Sequence, residues 1–138
     1  MHLLLLRRRR ELGFTLIELL IVVSLIVVLA TISLATYHNS VQRGREAVLK
    51  EDLYRMRDAI DQHFADKGKY PTTLEDLVSA GYLRAVPVDP ITQSATTWQT
   101  IQAEPDPTNP TTEPGVYNVK SGAEGEALDG SKVSEAPS

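Results

Sequence analysis

The sequence predicts an α+β chain, in which one long N-terminal helix of membrane-spanning first half carries a small head with a short second helix and an antiparallel β-sheet. Three observations point there. Residues 14–35 form an apolar run without Gly or Pro. No proline interrupts the chain between Phe14 and Tyr70. Two short alternating segments follow, separated by a proline-rich stretch. A chain of 138 residues leaves room for one small domain at most, with a modest core.

The apolar run comes first. As a helix rising about 1.5 Å per residue it spans ~33 Å, close to one hydrocarbon core. A secretory signal peptide is the alternative, but its apolar region is shorter and ends at a small-residue cleavage site, and no break follows Ala35. Arg7, Arg8, Arg9 and Arg10 precede the run. By the positive-inside rule they hold the N-terminus in the cytoplasm and send the rest across. Leu3 to Leu6 have no physical explanation. Inside the run stands one acid, Glu18. An unpaired carboxylate in a bilayer costs several kcal/mol or takes up a proton, which marks Glu18 as functional.

Helical periodicity continues past the membrane. Val48, Leu49, Leu53, Met56, Ile60 and Phe64 recur at the spacing of one helical face. Glu46 with Lys50, and Glu51 with Arg55, are expected as i, i+4 ion pairs on the solvent side. Gly44 is a soft point just beyond the membrane. Gly68 and Pro71 end the helix near residue 66.

The head follows. Thr73 begins a capping box that opens a short helix ending at Gly81. Val86-Pro87-Val88-Asp89-Pro90 reads as a rigid extended turn. Strands are expected over residues 98–103 and 116–120. Between them, "EPDPTNPTTEP" is an exposed loop. The tail from residue 121 is poor in apolar residues and reads as mobile without a ligand.

Composition narrows the function. The net charge is −4 even with four of the 14 basic residues in the N-terminal cluster, so the part beyond the membrane is acidic and nucleic acid is not an expected partner. With no cysteine, neither a disulfide framework nor a thiolate zinc site exists. His2, His38 and His63 are widely separated, and no phosphate loop or nucleophile elbow occurs. Asp58 and Asp61 read as solvated helix surface. No enzyme is expected.

The stretch "GFTLIELLIVV" resembles the N-terminal processing motif of type IV pilins and type II secretion pseudopilins. A basic leader, a Gly-Phe junction, an acid at the fifth mature position and an apolar helix carry the likeness. The resemblance implies a pilin-like fold with a leader over 1–13, an assembly helix over 14–35 and a periplasmic head over 36–138. It implies cleavage by a prepilin peptidase between Gly13 and Phe14, with N-methylation of Phe14. "DKGKYPTTLEDLVSAGYL", "VPVDP" and "GVYNVKSGAEG" follow the segment order of the G-type major pseudopilin. In that type a calcium-binding loop follows the last strand, which here points to Glu124, Glu126, Asp129 and Ser131 as oxygen ligands. The alternative for these four is a solubilising acidic tail. Asn118 stands where the G-type strand usually has an acid, and the final acidic run is reduced.

The function implied is that of a structural subunit of a type II secretion pseudopilus. It would be held in the inner membrane, then polymerised with copies of itself and minor pseudopilins by a platform protein and a cytoplasmic ATPase. A surface type IV pilus subunit is the runner-up, and a non-polymerising anchored binding module the alternative class. In a fibre, Glu18 of one subunit would meet the Phe14 amine of the next, because low dielectric strengthens that attraction and a slipped register leaves both charges unpaired.

Overall fold

The computed structural model describes residues 13–135 apart from 106, 110 and 112. The expected leader up to residue 12, with its leucines and arginines, lies outside the described residues. In chain order the elements are α1 (Leu16–Lys67), α2 (Leu74–Ser79), β1 (Gln99–Gln102), β2 (Val116–Lys120) and a 3-10 turn (Val133–Glu135). The chain divides into two units, the first ending at His38 and the second beginning at Asn39.

In the first unit, every described side chain is exposed. Leu16, Leu20, Leu25, Leu29 and Leu34 each leave more than half of their surface bare. The helix is long and apolar enough to cross a membrane, with a stretch of mean hydropathy 2.8. Its few hydroxyls fit that solvent. Ser24, Thr31, Ser33 and Thr36 each donate to the carbonyl four residues back, at 2.7 to 3.1 Å. The hydrogens of these four hydroxyls therefore need no water, which is the condition for polar groups in lipid.

The second unit has a core of its own. Leu49, Leu53, Met56, Ala59 and Ile60 of α1 pack with Leu74 and Leu77 of α2, Trp98, Val116 and Val119 of β2, Ala123 and Val133. The α1 seam is narrower than the sequence pattern, because Val48 and Phe64 are exposed and His63 is buried in line with Ile60. Val48 lies one residue, or about 100°, off the Leu49 seam. Phe64 instead stacks on Tyr70 with ring centroids 4.4 Å apart. His63 Nδ1 lies 2.8 Å from the Lys69 carbonyl, which only accepts, so the ring carries a proton on Nδ1. Gly68 ends α1 at φ 69°, donating to the Phe64 carbonyl.

The short helix forms as its sequence dictates. Thr73 and Asp76 make a reciprocal capping box, and Gly81 at φ 86° turns the chain out. Tyr82 and Leu83 both donate to the Leu77 carbonyl. Strands β1 and β2 pair antiparallel, with Gln99 opposite Lys120 and a register shift after Ile101. Residue 98 falls outside the strand: Trp98 is buried and its indole donates to the Pro87 carbonyl at 2.7 Å.

The Val-Pro-Val-Asp-Pro segment is more than a turn. Asp89 is fully buried, and its Oδ1 accepts the amides of Ile91 and Thr92 at 2.8 and 3.3 Å. Its Oδ2 accepts a short hydrogen bond from the Ser121 hydroxyl, whose oxygen in turn accepts the Ala123 amide. One buried carboxylate thus joins two segments 32 residues apart. Gly122 is required beside it, since a Cβ there would come 2.2 Å from the Thr97 carbonyl oxygen.

The tail corrects the expectation of mobility. Glu126 bridges Lys132 in antiparallel fashion, Ala127 donates to Ser131, and Val133 enters the core. Two buried apolar residues, Ala123 and Val133, anchor both ends of a segment whose average composition is polar. The Glu46 to Lys50 pair is also corrected. Glu51 and Arg55 do pair, at 2.9 Å, but Glu46 and Lys50 each turn to the tail.

Candidate functional site

Residues 13–15 lie outside any helix or strand and lead directly into α1. Phe14 is 85% exposed. The Thr15 hydroxyl accepts the Glu18 amide at 3.2 Å, and the Thr15 carbonyl accepts the Leu19 amide at 3.1 Å. Thr15 is therefore the N-cap of α1 and Glu18 its third helical residue. Sequence reasoning missed this role, although Thr15-Leu16-Ile17-Glu18 carries the T-x-x-E signature of a helix start. Glu18 is exposed in the first turn, where the helix dipole favours a negative charge. It is the sole Asp, Glu, Lys or Arg between Gly13 and Gln42.

Gly13 is not demanded by the fold. Nothing lies within 4 Å of where its Cβ would be. Gly13, Phe14 and Glu18 thus stand together at one helix end through sequence proximity and the Thr15 cap.

The second candidate site is the C-terminal loop, and it does not fit a calcium ion. Among the described residues, no three His, Asp or Glu side chains are placed to hold a metal. Glu124 is exposed, and Glu126 faces Lys132 through the backbone bridge. Asp129 Oδ1 accepts the Ser131 amide at 2.9 Å and its hydroxyl at 2.6 Å, while Oδ2 lies 3.9 Å from Lys50 Nζ. The Ser131 hydroxyl above all, then its amide, holds the Asp129 carboxyl below the usual carboxylate range, and Lys50 adds to the effect. Ser131 donates to Asp129 where the expected set needs its oxygen turned to a cation. The four predicted ligands do not converge.

Neighbouring charges are used in the same way. Lys120 donates to Glu135 at 3.1 Å and lowers its pKa. Arg57 donates to Asn118 Oδ1 at 2.9 Å and to the Val119 carbonyl at 3.1 Å. Asn118 Oδ1 also accepts the Val119 amide at 2.8 Å, so the amide oxygen meets donors from both α1 and β2. The Lys120–Glu135 and Arg57–Asn118 pairings were not legible from spacing, because they join residues 15 and 61 positions apart.

Residues 8–34 match the family model of the prokaryotic N-terminal methylation motif. A type II secretion system core protein G of Klebsiella pneumoniae is 31% identical over 98 residues, covering 59% of this chain and 70% of the relative. That of Pseudomonas aeruginosa is 32% identical over 100 residues, covering 61% and 70%. The fimbrial protein EcpC of Eikenella corrodens is 35% identical over 74 residues, but only 46% of it is covered. No solved structure matches the chain. The methylation motif, the helix and head that follow it, and the similarity running through most of the core protein G relatives agree: this chain belongs to the type II secretion pseudopilins of the core protein G type.

Proposed function

We propose that the chain is a non-enzymatic fibre subunit, stored in the inner membrane with its N-terminus in the cytoplasm and its head in the periplasm. A prepilin peptidase cuts between Gly13 and Phe14 and methylates the new amine. A platform protein and a cytoplasmic ATPase then stack the subunits, with minor pseudopilins, into a periplasmic fibre that moves folded proteins outward. The observation that carries this reading is the bare apolar helix before Asn39, which has one charge, Glu18, at its capped end. Such a surface needs lipid before assembly and neighbouring helices after it. Within a fibre the Glu18 carboxylate of one subunit meets the Phe14 amine of the next and sets the register.

Mass spectrometry of the protein from its host tests the processing step. Loss of residues 1–13 with a gain of about 14 Da on Phe14 is the expected result. Intact Met1 in membranes holding an active peptidase overturns it and favours an anchored module. Likeness to a fimbrial protein supports a second reading, a surface pilus. Deleting the gene separates the two: retained exoproteins indicate secretion, and loss of surface fibres with normal secretion indicates a pilus.

A further inference from the structure

Glu46 and Lys50 lie one turn apart on α1, at the spacing of an ion pair. Both reach away from that pairing. The Leu128 amide donates to the Glu46 carboxylate, 3.1 Å from one oxygen and 3.4 Å from the other. Lys50 Nζ faces Asp129 Oδ2 at 3.9 Å. The hairpin that presents these groups is already formed. Ala127 donates to the Ser131 carbonyl at 2.7 Å, Gly130 donates to the Ala127 carbonyl at 3.0 Å, and Gly130 takes φ 83°. Beyond the hairpin, Val133 is buried and Glu135 meets Lys120.

The chemistry opposes a cation here. Calcium takes six to eight oxygens, preferably from unengaged carboxylates and carbonyls. Asp129 has one oxygen engaged by Ser131 and the other facing an ammonium, which repels a divalent ion. The Glu46 carboxylate receives the Leu128 amide and the side-chain amide of Gln42. Both carboxylates are thus already supplied with donors from the protein.

We propose that Glu46 and Lys50 form a clasp that closes the C-terminal hairpin onto α1, so that the head folds and keeps its tail ordered without calcium. The positive charge that a metal would bring to the loop is carried by Lys50. The helix supplies the acceptor that fixes the loop backbone through Glu46. The clasp concerns the head alone and is independent of fibre assembly.

Hydrogen exchange on the full-length protein in detergent tests it, first with chelator and then with millimolar calcium chloride. Protection at Leu128 and Val133 is expected in chelator, unchanged by calcium. Glu46→Ala should speed exchange at Leu128 about tenfold while leaving Val116 and Val119 unaffected, since the lost bond is charge-assisted and local. Alanine is a strong helix former, so α1 tolerates the change. Lys50→Met should act in the same direction with a smaller factor. Protection over residues 127–135 that appears only with calcium overturns the clasp, as does unchanged exchange at Leu128 in Glu46→Ala.

Discussion

Two stretches of one helix behave as different materials. Before Asn39, α1 turns no side chain inward and leaves its leucines, isoleucines and valines bare. Between Leu49 and His63 the same helix buries a seam of side chains to within a few per cent of full coverage. Among its described residues the first stretch has hydrogen bonds but no buried side chain, so its surroundings must supply its packing. The second has its packing built in. A residue in the first stretch should therefore change assembly and leave head stability alone, and a residue in the second should do the reverse.

The largest effect that would sharpen this contrast lies in the core. Leu53→Ala, at a position with no exposed surface, should destabilise the head by about 2–5 kcal/mol, read as a lower unfolding midpoint. Glu18→Val should leave that midpoint where it is. A lower midpoint in Glu18→Val would break the division between the two stretches.

Asp89→Ala comes next. Removing the buried carboxylate strands the buried Ser121 hydroxyl, at about 1–3 kcal/mol for a buried donor left unpaired, and leaves the half-buried Ile91 and Thr92 amides without their acceptor. Denaturant unfolding should show the loss. Gly122→Ala should cost about 1–3 kcal/mol by overpacking against Thr97, whereas Gly13→Ala should leave folding unchanged and act, if at all, on leader cleavage.

The smallest effect is a pH response of the tail. Asp129 and Glu135 are held below their ordinary values, Asp129 chiefly by Ser131 and Glu135 chiefly by Lys120. A depressed folded-state pKa gives stability that is present above the unfolded value, near pH 4, and is lost as pH falls through the folded one. Amide protection at Val133 should therefore weaken as pH drops below about 4, ahead of that at Val119. Asp52 works in the opposite sense, because burial raises its pKa and protonation relieves that penalty.

What the sequence made legible and what it hid follow from range. The membrane-length helix, the Thr73 cap, the Gly68 stop and strand β2 rest on signals within a few residues, and all were readable. Thr15 is readable too, from the T-x-x-E spacing of Thr15 and Glu18, although Glu18 stands out first as a charge in an apolar run. Asp89 with Ser121, Arg57 with Asn118, and Glu46 with Leu128 are separated by 32, 61 and 82 positions. Nothing in local spacing announces such partners. The calcium expectation rests on the resemblance to the G-type loop and on oxygen ligands close in sequence, whereas the fold turns Asp129 to Ser131 and Lys50.

On the proposed function, the bare helix is completed by copies of itself, with Glu18 as the register pin. The most direct test is the yield of sheared or cross-linked fibres from cells making the Glu18→Val protein beside wild type. Normal membrane insertion and leader cleavage, an unchanged head and a loss of nearly all fibre are expected, with Glu18→Asp partly active. Wild-type fibre yield from Glu18→Val would contradict this reading.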